Sequence, residues 1–302
     1  GPALSGEARL GDAITVGGKI LLMGGWDTSN GIPHGNVFEF DPSTNSWTQK
    51  ASMLTATEAP KAVLYHGKVW AIGGQTENTP TNKVEIYDPD TNSWSTGPTL
   101  TSARKSPCAW VVNDRIYVAG GAASGNTYLS SLEVYDPATN QWASSGNSLP
   151  ENKYTGDAAM LGGKVYLVAG ATASGGTFTN KVFAADLPPP AMNLYFREGN
   201  ATAEVATEPR LDGNLTITLN MLAPDALAKL DVNQTHAQSA GSVIAVPKDA
   251  APPAGYSLYK RSARYGSLVW EEKASVSVAR YAFDGVETLD GKIYFVGGDG
   301  ED

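Results

Sequence analysis

Five times along the chain a short apolar run closes on glycine: KILLMGG at 19–25, KVWAIGG at 68–74, RIYVAGG at 115–121, KVYLVAG at 164–170 and KIYFVGG at 292–298. Ahead of each lies a second run, set off by Gly17-Gly18, His66-Gly67, Asn113-Asp114, Gly162-Gly163 or Asp290-Gly291. Two runs around a two-residue turn of this kind predict a β-hairpin. After each of the first three glycine pairs a polar loop leads to a third run, VFEF, VEIY or LEVY, with apolar and polar positions alternating. An Asp-Pro-x-Thr-Asn turn then returns the chain to a fourth strand carrying Trp47, Trp94 or Trp142. The pattern predicts a repeat of four antiparallel strands.

The first glycines of the pairs, Gly24, Gly73 and Gly120, recur at nearly even spacing. Ala169 holds that place in a fourth, decayed copy, and Gly297 in a fifth. The tryptophans keep the same frame. Trp47 stands as far before Gly73 as Trp94 does before Gly120, and Trp142 as far before Ala169 as Trp270 does before Gly297. A period of about 50 with a glycine pair, an aromatic-Asp-Pro turn and a Trp resembles the kelch family, over 1–186 and 268–298. That resemblance implies an all-β propeller of four-stranded blades, about five of them with the last incomplete. Glycine lets the backbone of one blade approach the next, and the Trp ring packs between blades. Trp47, Trp94, Trp142 and Trp270 are expected to be equivalent and largely buried.

Three segments follow: four blades over 1–187, a non-kelch linker or insertion over 188–255, and a closing strand with half a further blade over 256–302. Pro188-Pro189-Pro190 stops the fourth blade after its third strand. In the middle segment 193–197, 242–246 and 256–259 read as strands, 199–216 as polar, 220–230 as a short amphipathic helix and 231–241 as a flexible linker. Asn200, Asn214 and Asn233 begin Asn-x-Ser/Thr triplets, which chance explains in so polar a stretch. Residues 1–9 match 97–104, so 276–298 are expected to pack next to the first blade or to pair with another molecule. The alternative is an insertion within one propeller, in which Trp270 completes the fourth blade.

A net charge of −9 argues against nucleic acid or an anionic membrane as partner. No apolar run reaches membrane-spanning length. The single cysteine, Cys108, excludes an internal disulfide and reads as buried. Few charges and many Thr, Ser, Asn and Gly suit an extracellular or cell-surface protein, with a cytoplasmic one as the alternative.

The inventory for chemistry is thin. His34, His66 and His236 are scattered, with no metal-ligand spacing. The acidic loops at Asp27 and Asp299-Glu301-Asp302 lack the spacing of a calcium loop and read as solvated. There is no phosphate loop and no nucleophile turn. No catalytic residue, metal or cofactor is expected.

What remains is a rim. At a nearly constant distance before each glycine pair stand Arg9, Glu58, Arg104, Lys153 and Arg280, with Trp26, Gln75, Tyr154 and Tyr281 nearby. Four basic residues among aromatic and amide groups fit an acidic or hydroxylated ligand, a sugar or a peptide carboxylate. The plainer reading is that they cap loops or pair with neighbouring acids. The resemblance implies a non-catalytic binding or adhesion module that takes a glycan or protein on its loop face, within a larger repetitive surface protein. The alternatives are a sugar-processing enzyme of the kelch mutarotase type and a structural spacer. Self-association through the incomplete blade is a further expected mode of partnership.

Overall fold

The computed structural model describes residues 11–168, 170–173, 177–187, 192–198, 215–218, 241–247, 257–261, 268, 270–273, 280–289 and 292–300. The chain divides into two units, Gly1–Leu187 with Ser267–Asp302, and Pro188–Gly266.

The first unit is a β-propeller of four four-stranded antiparallel blades. Blade one is Asp12–Val16, Lys19–Met23, Val37–Asp41 and Ser46–Gln49. Blade two is Lys61–Tyr65, Lys68–Ile72, Val84–Asp88 and Ser93–Thr96. Blade three is Cys108–Val112, Arg115–Ala119, Ser131–Asp136 and Gln141–Ser148. Blade four takes Asp157–Leu161, Lys164–Val168 and Val182–Asp186 from the repeat region. Its fourth strand is Trp270–Lys273, with Ala185 opposite Trp270. The first strands of blades one to four run side by side in order, and the hairpin Arg280–Leu289 and Lys292–Gly300 lies beside that of blade four. Of residues 1–25, beside which 276–298 are expected to pack, 1–10 lie outside the described residues.

The second unit holds one sheet, ordered Leu215–Thr218, Gly241–Pro247, Met192–Glu198, Ser257–Arg261. Leu215–Thr218 is a strand where the sequence reads mostly as a polar stretch; its Leu-Thr-Ile-Thr alternation is too short to stand out without its partner. The helix expected at 220–230, most of the expected linker, the three Asn-x-Ser/Thr asparagines and His236 lie outside the described residues. Among the described residues the one helical element is a 3-10 turn, Ser124–Asn126, and no helix is long and apolar enough to cross a membrane.

Local chemistry accounts for the blades. Both residues of each first hairpin turn are left-handed, as at Gly17 and Gly18 (φ 56° and 79°) and at Asn113 and Asp114 (φ 51° and 59°). That geometry matches the twist of the strands, and Gly, Asn and Asp bear it best. At the second turn the aspartate carboxylate accepts the backbone N–H two residues on: Ser43 from Asp41 at 2.8 Å, Asp90 from Asp88 at 3.0 Å, Ala138 from Asp136 at 2.9 Å. Asn45, Asn92 and Asn140 then take the left-handed conformation, with φ of 50°, 48° and 55°. The Tyr87 and Tyr135 hydroxyls donate to Asn92 Oδ1 and Asn140 Oδ1, both at 2.9 Å; Phe40 in blade one cannot.

The core is three apolar seams. One joins blades one and two through Leu21, Met23, Val37, Val69 and Tyr87. The next joins blades two and three through Ile72, Leu100, Ile116, Val118 and Trp142, and the third runs from Trp110 and Leu132 to Val165 and Leu167. The first two seams are each fastened by an indole. Trp94 Nε1 donates to the Ala51 carbonyl at 2.8 Å and Trp142 Nε1 to the Pro98 carbonyl at 2.9 Å, each tying its blade to the end of the one before. Trp142 is buried and Trp94 and Trp47 are half-buried; the side chain of Trp270 lies outside the described residues. Trp47 belongs to the first blade, ahead of which residues 1–10 are undescribed.

The Trp142→Ala variant is expected to lose about 3–5 kcal/mol in urea unfolding, and Trp47→Ala distinctly less. A loss below about 1 kcal/mol at Trp142 would remove the ring from the core.

Candidate functional site

The glycine pairs set the geometry of the loop face. The second glycine of each pair donates its N–H to the backbone just before the next blade: Gly25 to Thr57 O at 2.9 Å, Gly74 to Arg104 O at 2.9 Å, Gly121 to Lys153 O at 2.7 Å. A Cβ on Gly24 would come within 2.5 Å of Thr57 O, and one on Gly120 within 2.5 Å of Lys153 O, closer than real Cβ atoms approach backbone. These glycines also have positive φ, from 62° to 124°. Any other residue would push the blades apart.

The chain then turns through a second repeated contact. Glu58 bridges Gln75, Lys105 bridges Ala122, and Tyr154 bridges Ala171, each joining the entry of a blade to the small hairpin after its own glycine pair. In each case the next residue is left-handed without being glycine: Ala59 (φ 49°), Ser106 (φ 46°) and Thr155 (φ 56°). Such a conformation is uncommon for Ala and Ser and an outlier for β-branched Thr, and it recurs in three successive blades. The three side chains at this position, Glu58, Lys105 and Tyr154, are all different; Glu58 is buried, and Lys105 and Tyr154 are half-buried.

This register corrects the rim as read from spacing alone. Glu58, Lys105 and Tyr154 share one position; Thr57, Arg104 and Lys153 share the one before it. A loosely kept spacing mixes the two, and neighbouring residues in extended backbone point to opposite sides. Arg104 and Lys153 are accordingly almost wholly buried, 0% and 1% exposed. Arg104 Nη1 donates to Gly120 O at 2.8 Å and its Nη2 meets Glu133 Oε1 at 2.6 Å. Glu133 also accepts the N–H groups of Thr101 at 2.7 Å and Ser102 at 3.0 Å. Lys153 Nζ pairs with Glu151 at 3.1 Å and lies 5.0 Å from the centre of the Phe183 ring. Burial draws both basic groups below their usual pKa, opposed by their acidic partners. These two cations brace the loop face from beneath, each with its own carboxylate, and do not converge on a common pocket.

Of the other rim residues, Gln75 is buried and its Nε2 donates to Glu58 Oε1 at 2.5 Å. Trp26 is half-buried and opens the small hairpin of blade one, opposite Pro33. Tyr154 stacks on Tyr128, with ring centres 4.7 Å apart and planes 23° apart, and Lys105 Nζ lies 5.8 Å from the centre of the Tyr154 ring. Burial raises the Tyr154 phenol above its usual range. Arg280 and Tyr281 begin the hairpin beside blade four, but their side chains, like the whole of Arg9, lie outside the described residues. Lys105, Tyr128 and Glu133 were missed from sequence. Lys105 stands as far before Gly120, and Tyr154 as far before Ala169, as Glu58 does before Gly73, a signal that is legible once a single offset is kept.

Asp27 uses its carboxylate within its own loop, accepting from Ser29 N at 2.8 Å and Asn30 Nδ2 at 2.6 Å. Those bonds hold its pKa below the usual carboxylate range. Among the described residues no group of three or more His, Cys, Asp or Glu is placed to hold a metal ion.

Beneath the mouth the first residues of the four first strands, Asp12, Lys61, Cys108 and Asp157, come to one level. Lys61 Nζ reaches Asp157 Oδ1 at 2.9 Å and Asp12 Oδ2 at 3.5 Å, joining blade two to blades four and one. Cys108 is buried, and burial pushes its thiol up to about 12, which leaves it unreactive. Desolvation lowers the Lys61 pKa, but the two carboxylates outweigh it and the net shift is upward. Asp12 is raised by burial and by Asp157, against the pull of Lys61.

Glu133→Ala strands the buried Arg104 guanidinium, at an expected cost of about 3–5 kcal/mol in chemical denaturation; a loss under about 1 kcal/mol would show that Arg104 is not held by Glu133. The Lys61 group carries an expectation about pH. A lysine whose folded pKa is raised stabilises the fold below its usual value of 10.5, and that contribution is lost as pH rises through the folded pKa. The melting temperature is therefore expected to fall above about pH 10.5. Lys61→Met leaves Asp12 and Asp157 facing each other and is expected to gain stability on acidification, as the raised Asp12 carboxyl takes up its proton. A variant that melts alike from about pH 4 to about pH 8 would sever this link.

A search of the curated proteins found no match to this chain. The KLHDC2/KLHL20/DRC7 Kelch-repeats domain matches residues 12–191, more than half of the chain and the whole of blades one to three. With the glycine pairs and Asp-Pro turns in place in blades one to three and the indole ties at Trp94 and Trp142, the chain belongs to the kelch-repeat propeller family, whose fold suggests a protein-interaction module.

Proposed function

We propose that the chain is a non-catalytic binding and adhesion module that takes a glycan or protein ligand on its loop face. The observation that carries this reading is the repeated left-handed turn, which leaves Lys105 and Tyr154 half-exposed at one position of successive blades while Glu58 at that position is buried. Glu58, Lys105 and Tyr154 occupy one position in three successive blades on a single backbone frame. A frame that is constant while its side chains vary in charge and shape is how a repeat protein builds a recognition surface. Arg104 and Lys153 support that surface from below, and Gln75 and Trp26 open the hairpins beside it. The low charged fraction and the abundance of Thr, Ser, Asn and Gly favour an extracellular or cell-surface setting for it.

The test is capture on a glycan array and in pull-downs with the whole chain. The double variant Lys105→Ala, Tyr154→Ala is expected to lose capture while its melting temperature shifts by only a few degrees. Retention of capture by that variant, with loss on substituting Leu64 and Met160 toward the other end of the first strands, would place binding on the opposite face.

A further inference from the structure

We propose that the front of blade one is a docking surface for a second copy of this chain, and that it takes the back of that copy's Arg280–Gly300 hairpin. The front of a blade is the sheet face turned toward the blade before it, and the back is the face turned toward the blade after. This contact is separate from ligand capture on the loop face.

Register defines the front. In blade two Val69 stands opposite Tyr87 and Ala71 opposite Ala62, so the four share one face. That face packs into the seam with Leu21, Met23 and Val37 of blade one. Ala109, Ile116, Val118 and Tyr135 form it in blade three, and Val165, Leu167 and Ala185 in blade four. Val69, Ile116 and Val165 are each 0% exposed. In blade one the same register sets Ala13 opposite Leu22 and Ile20 opposite Phe40. Ile20 is 40% exposed, Ala13 is exposed, and Leu22 and Phe40 are half-buried. A single exposed isoleucine means little. A position closed in three blades and open in the fourth, among apolar neighbours, marks a face that takes a partner.

The chemistry of the face agrees. The residue opposite Ala71 is Glu85 and that opposite Val118 is Glu133. Each accepts backbone N–H from the exit of the blade before, Leu54 N at 2.8 Å and Thr101 N at 2.7 Å. Blade one has the half-buried Phe38 at that place, and blade four has Phe183, which is buried. Blade one thus offers an aromatic ring where blades two and three offer a carboxylate.

The other three fronts show what fits this one. Each is covered by the back of a blade of the same repeat. In blade order the next back belongs to the hairpin Arg280–Leu289 and Lys292–Gly300, which runs beside the first strand of blade four. Among the described residues it makes no comparable run against Asp12–Val16. Its second strand carries KIYFVGG, in which Tyr294 and Val296 hold the places of Leu21 and Met23 in KILLMGG, the residues at the back of blade one. The chain therefore bears both halves of the contact, one at each end of its blade order, and two copies can meet head to tail. Such a contact leaves a free front and a free back, so it propagates unless a ring closes.

The experiment is sedimentation of the whole chain over a range of concentrations. The mass of wild type is expected to rise from one chain through two by about 100 µM. Ile20→Glu, Ala13→Arg at a position already exposed, and Tyr294→Glu are each expected to weaken association by about thirtyfold or more. Thermal melts of the variants establish that they are folded. An equimolar mixture of Ile20→Glu and Tyr294→Glu is expected to regain pairs, since one intact front and one intact back remain. Wild type that stays a single chain at about 100 µM would overturn the proposal. So would association that survives Ile20→Glu and Ala13→Arg, or Tyr294→Glu chains that pair alone, as two fronts meeting would allow. Capture on the loop face is read separately, through Lys105 and Tyr154, so that reading stands or falls by its own test.

Discussion

The contact on which the propeller depends is the approach of one blade's glycine pair to the backbone entering the next. It is a hydrogen bond from the second glycine to a carbonyl, made at a separation that leaves no room for a side chain. Everything radial follows from it. The first strands come side by side, the apolar seams close between blades, and the indoles of Trp94 and Trp142 reach the last turn of the blade before. The fourth repeat has Ala169 at the first glycine position and still keeps the second, Gly170, where a Cβ would meet the backbone of Tyr154 and Gly156 at the entry of its own blade.

The same contact decides which side chains are available for recognition. Because it fixes the carbonyl of Thr57, Arg104 or Lys153 against a glycine, the side chains at that position turn into the blade. Arg104 then needs Glu133, and Glu133 in turn ties down the N–H groups of Thr101 and Ser102. A charge that looks like a ligand contact in the sequence thus serves to make the loop rigid. The following residue is half-exposed in blades three and four, as Lys105 and Tyr154, and buried in blade two, as Glu58, and its fixed backbone reduces what must be ordered when a ligand arrives.

Below the mouth, Lys61 joins blade two to blades one and four through two aspartates, across the small side chain of Cys108. A partly buried ion group of this kind contributes little net stability but resists rearrangement, since separating any one member leaves another unpaired. It complements the apolar seams, which hold adjacent blades together.

The sequence by itself determined the repeat, the hairpins, the Asp-Pro turns and the roles of glycine and tryptophan. These rest on local rules: left-handed turns need Gly, Asn or Asp, alternation sets the faces of a strand, and close approach excludes a Cβ. It did not show that Leu215–Thr218 is a strand, because so short an alternation means little without its partner at Gly241–Pro247. Nor did it separate Arg104 from Lys105. One residue of register sends a side chain inward or outward, and only the pairing of Lys105 with Ala122 and of Arg104 with Gly74 fixes that register. Whether a cation is paired was likewise decided by tertiary structure: Glu133 is far from Arg104 in sequence and 2.6 Å from it in space.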